Sequence, residues 1–138
     1  MTDSGYKKAM ILLGLAGLLF SGYLSAFRLI TSVCALSEPC PYFLGYPACW
    51  YGFGMFFLLF ASALVGFFRA SAEKSAVYVQ VLISGLGILF AGYFTVPEIS
   101  NLLSGTSAYS LGLPTCAYGL IFYVIIFVLA FRYLRKQK

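Results

Sequence analysis

Four long uncharged runs divide the chain: Ala9–Phe27, Trp50–Phe68, Ala76–Val96 and Leu111–Phe131. Each holds 19 to 21 residues. At about 1.5 Å per residue, a run of this length makes about 28 Å of helix, close to the roughly 30 Å hydrocarbon core of a bilayer. The pattern predicts an all-α membrane protein, with spans at about 9–27, 50–68, 76–96 and 114–131. Lys7 and Lys8 give the first run the flank of a signal peptide. Its length and the three runs that follow mark it instead as a retained span.

Composition agrees. Hydrophobic residues make up 62% of the 138 residues, charged residues 9%, and the mean hydropathy is +0.93. A soluble domain carries roughly 25% charged residues. With no histidine and only four acidic residues, most metal and acid/base enzymes are excluded, and no metal site is expected. The net charge of +5 does not point to nucleic acid, because the basic residues flank the spans. Lys7, Lys8, Arg69, Lys74, Arg132, Arg135, Lys136 and Lys138 fall on one side, and only Arg28 on the other. The positive-inside rule then puts both termini and the middle loop in the cytoplasm and the loops around 28–49 and 97–113 outside.

The chain also repeats itself. At an offset of 67, Leu44-Gly-Tyr-Pro-Ala-Cys-Trp-Tyr-Gly-Phe53 aligns with Leu111-Gly-Leu-Pro-Thr-Cys-Ala-Tyr-Gly-Leu120, identical at six of ten positions. At an offset of 70, Gly17-Leu-Leu-Phe-Ser-Gly-Tyr-Leu-Ser25 aligns with Gly87-Ile-Leu-Phe-Ala-Gly-Tyr-Phe-Thr95, identical at five of nine. Residues 1–70 and 71–138 are thus read as two tandem two-helix units within one membrane domain. An even number of spans gives both units the same orientation, so a pseudo-two-fold along the membrane normal should relate them. Gly14, Gly17, Gly22, Gly85, Gly87 and Gly92 mark places where helices can approach closely. Pro47 and Pro114 suit helix starts, where a missing N–H costs nothing. The tyrosines near the run ends, Tyr6, Tyr78 and Tyr133 among them, read as interfacial belts.

All four cysteines, Cys34, Cys40, Cys49 and Cys116, fall on the predicted outer side. Four cysteines in an oxidising compartment favour disulfides, with three connectivities open. Proximity favours Cys34–Cys40, which leaves Cys49 and Cys116, the same residue in the two repeats. Such bridges can be inert staples, or they can exchange with thiols through mixed disulfides. Cys49 and Cys116 are expected at helix N-termini, where backbone N–H groups favour a thiolate.

The order of a loop cysteine pair, Leu44-Gly-Tyr-Pro-Ala-Cys-Trp-Tyr-Gly opening the second helix, and a cysteine opening the fourth resembles the bacterial vitamin K epoxide reductase homologues. The resemblance implies a four-helix membrane protein that oxidises thiols outside the cytoplasm and reduces a quinone. It makes Cys34 and Cys40 the shuttle pair, Gly45 and Pro47 the Gly-x-Pro after the first outer loop, and Cys116 one of the quinone-facing cysteines. Cys116-Ala-Tyr-Gly119 has glycine where the family's second cysteine stands, so Cys49 takes that partner's place. A thioredoxin-like extracytoplasmic protein is the implied partner.

Arg28 and Glu98 are also matched by the 70-residue offset, and could pair across the axis at the outer mouth. Gln80, alone near one end of the third run, reads as an interhelical hydrogen bond. Two other functions remain open. One is a small transporter or channel lined by Ser21, Ser25, Ser62, Gln80, Ser84 and Thr95. The other is a non-enzymatic scaffold braced by structural disulfides.

Overall fold

The computed structural model of the protein describes residues 2–31, 42–105 and 115–138. The helices are α1 (Asp3–Thr31), α2 (Ala48–Phe68), α3 (Glu73–Leu103) and α4 (Thr115–Gln137), with a 3-10 turn, Ala70–Ala72, between α2 and α3. All four are long and apolar enough to cross a membrane. Helix is the form that satisfies every backbone N–H and C=O within one segment, which hydrocarbon requires. Large apolar side chains such as Leu12, Leu19, Leu82 and Leu89 point outward and are 65–72% exposed. This is the surface of a multi-pass membrane protein whose solvent is lipid.

Two predicted boundaries are corrected. The outer loops read as beginning at Arg28 and Pro97 begin later, because α1 continues to Thr31 and α3 to Leu103. Charge and proline end the apolar run, but a helix leaving the bilayer keeps its internal hydrogen bonds. Pro97 sits inside α3 and removes one bond without ending the helix. Ahead of α2 is a small hairpin, β1 (Tyr42–Phe43) paired antiparallel with β2 (Tyr46–Pro47). Its two-residue turn has positive φ at Leu44 (52°) and Gly45 (85°), the twist that favours glycine in tight hairpins.

The two-unit architecture is present in full. α1 packs on α2 and α3 on α4, and the pairs join mainly through α2 and α3. The buried positions coincide between units. Tyr6, Met10, Gly14, Gly17 and Ser21 of α1 are buried, and so are the residues 70 further on: Ala76, Gln80, Ser84, Gly87 and Ala91 of α3. Phe56, Leu59, Ala63 and Gly66 of α2 match Tyr123, Ile126, Ala130 and Tyr133 of α4 at an offset of 67.

The pseudo-two-fold is visible at its centre. Phe56 and Tyr123 are equivalent residues, and their rings stack with centroids 4.5 Å apart and planes 10° apart. Each ring is seated on the equivalent glycine of its own unit. A Cβ on Gly17 would lie 2.3 Å from Phe56 Cδ1, and one on Gly87 would lie 2.5 Å from Tyr123 Cδ1. Lipid tails are as apolar as leucine, so close packing over small residues must hold such helices together. A Cβ on Gly14 would likewise lie 3.1 Å from Phe60 Cα. Gly92 does not serve this purpose, since a Cβ there would meet nothing within 4 Å.

The units differ at one end of the bundle. Tyr6 of α1 stacks on Tyr133 of α4 with centroids 3.9 Å apart. At the equivalent place in the other seam, Ala76 of α3 meets Gly66 of α2, and a Cβ on that glycine would lie 3.0 Å from the Ala76 methyl. Two rings wedge α1 and α4 apart where a methyl and a glycine let α2 and α3 close.

Candidate functional site

The Cys49 end carries the residues singled out by sequence. Cys49 is the second residue of α2 and Cys116 the second of α4, so both stand in the first turn of a helix, as expected. Both are half-buried, and no disulfide joins them. A Cys49–Cys116 bridge is therefore a state that oxidation would have to form. Cys34 and Cys40 lie outside the described residues, as do Pro114 and Tyr109.

The facing of the two cysteines follows from helical spacing. Seven residues are nearly two turns, about 10.5 Å of rise, and return a side chain to almost the same face. Cys49 is seven residues before Phe56, and Cys116 seven before Tyr123. Since Phe56 and Tyr123 meet on the pseudo-two-fold, the cysteines above them face that axis as well. The helices also touch between these levels: Tyr123 Oη donates to the Gly52 carbonyl at 3.4 Å.

Other residues complete this end. Ser25 of α1 donates through Oγ to the Cys49 carbonyl at 3.2 Å. Arg28 stands one turn beyond Ser25 on α1. Glu98 follows Pro97 in the last turns of α3 and, like Arg28, is half-buried. At the same end, Phe43 of the hairpin packs edge-on to Tyr51, Phe90 and Phe94, with centroids 5.3, 5.5 and 6.4 Å away. Tyr51 Oη donates to the Phe43 carbonyl at 2.9 Å. Phe43, Tyr51 and Phe90 border an apolar groove of about 430 Å³ between α2 and α3, lined also by Met55, Leu86, Leu89 and Tyr93.

The opposite end holds a polar cluster that reading the sequence missed. Glu73, the first residue of α3, pairs with Lys7 of α1 at 2.7 Å. It also accepts from Tyr133 Oη at 2.5 Å and from Gln137 Nε2 at 3.0 Å, both on α4. Above it Tyr6 Oη donates to Gln80 Oε1 across the bundle, so Gln80 makes the interhelical bond expected of it. Tyr6 and Tyr133 are 2% and 5% exposed. Their assignment to an interfacial belt is corrected: their rings fill the wide seam and their hydroxyls find partners inside it. Tyr78, 50% exposed, keeps a belt-like position. Tyr6→Phe keeps the stack but strands a buried amide oxygen, and should lower unfolding stability in detergent by about 1–2 kcal/mol.

Among the described residues, the serines that could line a polar path bond mostly within their own helices. Ser21 donates to the Gly17 carbonyl at 2.8 Å, Ser62 to Leu59 at 2.8 Å and Ser84 to Gln80 at 2.5 Å. Each hydroxyl is thus spent on its own helix. Leu59, Ile126, Ala130 and the Phe56–Tyr123 stack fill the middle of the bundle. Among the described residues no group of histidine, cysteine or acidic side chains could hold a metal ion. Comparison with protein families, with curated proteins and with solved structures finds no match for this chain.

Proposed function

We propose that the protein is an integral membrane thiol–disulfide oxidoreductase that passes electrons from extracytoplasmic thiols to a quinone, with Cys49 and Cys116 as the reacting pair. What supports this most is that equivalent cysteines, each at a helix N-terminus, face the axis one heptad above two rings that already touch on it. The positive-inside count puts this end outside the cytoplasm. The cluster around Glu73, with both termini, is then cytoplasmic.

In the oxidised protein a thiolate of the substrate attacks one sulfur of the Cys49–Cys116 bridge. The S–S bond breaks and its electron pair leaves on the other sulfur. The substrate's second thiolate then attacks the mixed disulfide, leaving with a disulfide of its own, and the protein holds two thiols. A quinone supplies the acceptor for the two electrons and two protons released when those thiols close again. The groove bordered by Phe43, Tyr51 and Phe90 is apolar enough to take such a flat ring. Cys34 and Cys40 act as relay between the bridge and a thioredoxin-like extracytoplasmic partner. Arg28 and Glu98 pair across the mouth and close it over the thiols.

The test is mass-spectrometric mapping of the four cysteines in purified protein during graded reduction, then addition of a water-soluble quinone. Cys49–Cys116 should form under mild oxidant, open at mild potential and re-form with the quinone, while Cys49→Ser and Cys116→Ser reduce quinone no faster than buffer. Bridges that resist reductant until the protein unfolds would sink the proposal. The packed axis and self-bonded serines count against conduction through the bundle.

A further inference from the structure

The basic residues at the Glu73 end are unevenly placed. Membrane orientation asks only that they lie on one side of the bilayer. Yet six of the eight there, Lys7, Lys8, Arg132, Arg135, Lys136 and Lys138, stand on α1, on α4 or just beyond it. The pseudo-two-fold does not repeat them. Arg132 and Arg135 correspond at the 67-residue offset to Val65 and Phe68 of α2, and Lys7 and Lys8 at the 70-residue offset to Val77 and Tyr78 of α3. Positive charge thus gathers at the seam that Tyr6 and Tyr133 hold wide, and not at the closed one. Acidic side chains do not balance it. Of the four in the chain, Glu38 falls between α1 and α2 in sequence and Glu98 near the far end of α3. Glu73 takes Lys7 at 2.7 Å, and Asp3 lies 3.8 Å from Lys136. Lys8, Arg132, Arg135 and Lys138 are exposed, and among the described residues none of them has an acidic partner. The carbonyl end of α4 offsets only about half a charge.

We propose that the α1–α4 seam binds an anionic phospholipid at this end, with Arg132 and Arg135 holding the headgroup phosphate. Arg132 follows Phe131, the last residue of its apolar run, and Lys8 precedes Ala9, the first of its own. Both charges therefore stand at the edge of the hydrocarbon, where the headgroup region begins. Arg132 and Arg135 are three residues apart on α4 and share a face, while Tyr133 and Gln137 turn inward to Glu73. A guanidinium so placed gives two parallel N–H bonds to phosphate oxygens. Val128 and Ile125 lie one and two turns before Arg132 on the same face and are 45% and 42% exposed, an apolar track for the acyl chains. That track selects a lipid over a soluble anion. A zwitterionic headgroup offers the same phosphate but brings its own cation toward Lys8 and Lys138, so an anionic headgroup is favoured. The inference is independent of the thiol-exchange reading.

The experiment is native mass spectrometry of the whole protein in neutral detergent micelles carrying equal amounts of dioleoyl phosphatidylglycerol and dioleoyl phosphatidylcholine. Retained lipid is counted across a lipid titration. The unsubstituted protein should keep one phosphatidylglycerol in preference to phosphatidylcholine. Each arginine beside an anionic headgroup contributes roughly fivefold in affinity, so Arg132→Gln and Arg135→Gln should each weaken retention about fivefold and together about thirtyfold. Arg69→Gln with Lys74→Gln removes the same charge from the other seam and should leave retention within about twofold. All four side chains are exposed, so none of these substitutions opens the core, and helical content by circular dichroism should not change. Excess inorganic phosphate at constant ionic strength should not displace the lipid. Equal retention of the two lipids, equal weakening by the two double substitutions, or displacement by inorganic phosphate would each overturn the assignment.

Discussion

Gly17→Leu and Gly87→Leu should each destabilise the bundle by about 3 kcal/mol, the upper part of the range for overpacked cores. Even a methyl at these sites would lie 2.3 Å from Phe56 or 2.5 Å from Tyr123. Neither ring can retreat easily, since each is stacked on the other at 4.5 Å. The displaced ring must push its partner across the axis, so one substitution disturbs both units. Gly92→Ala is the control: it stands in the same helix as Gly87 with open space around it, and should be nearly neutral. Unfolding in detergent, followed by circular dichroism, separates the two outcomes. Equal loss at Gly92 and Gly87 would mean that the seat of the axial rings does not set the cost, since helix propensity by itself favours both substitutions.

Glu73→Ala should cost about 2 kcal/mol, less than the 3–5 of a fully buried broken pair because both side chains keep some exposure. Lys7 and Glu73 side chains are 20% and 19% exposed, and Glu73 also accepts from Tyr133 and Gln137. One carboxylate therefore fastens α1 and α4 to the start of α3, at the end where Tyr6 and Tyr133 hold the seam wide. Glu73→Gln keeps an acceptor for Tyr133 while losing the charge facing Lys7, and should fall about midway. The Lys136–Asp3 pair bridges α4 and α1 at 3.8 Å, but its side chains are 62% and 70% exposed. Removing it should change stability by only a few tenths of a kcal/mol, in the range of surface pairs. A comparable loss from Asp3→Ala and Glu73→Ala would show that the partly buried cluster is not what holds the seam.

The four helices and the division into two like units could be read along the chain because both leave one-dimensional traces. Trp50–Phe68 has no charge for 19 residues, and nothing but a span uses such a run economically. The repeat was legible because Gly-Tyr, Pro and Cys recur at fixed offsets. Cys49 and Cys116 were placed at helix starts by Pro47 and Pro114, which suit only the first turn. The helix ends near Arg28 and Pro97 were misread because the sequence marks where hydrocarbon stops, whereas a helix stops where its backbone finds other partners.

Tyr6 and Tyr133 could not be recognised as core from their surroundings. In a soluble protein the apolar stripe of a helix identifies its buried face, but here lipid is as apolar as the interior, so hydropathy is silent on rotation. Small residues carried part of that information, as Gly17 and Gly87 did, and Gly92 shows where the same signal fails. The polar cluster was missed for a related reason: Lys7 reads as an ordinary flanking charge, and nothing in the chain around Glu73 or Gln137 sets either apart.

By itself the sequence determined how many times the chain crosses, which segments lie at the same end, and that two units of one design stand side by side. Only the tertiary structure decided where the units part company. Two tyrosines spread one seam while Ala76 and Gly66 close the other, and Ser25 reaches its cysteine's helix while Thr95 keeps an unpaired hydroxyl. These differences depend on how each helix is rotated and on pairings between residues far apart in the chain. Local composition and spacing hold no record of either.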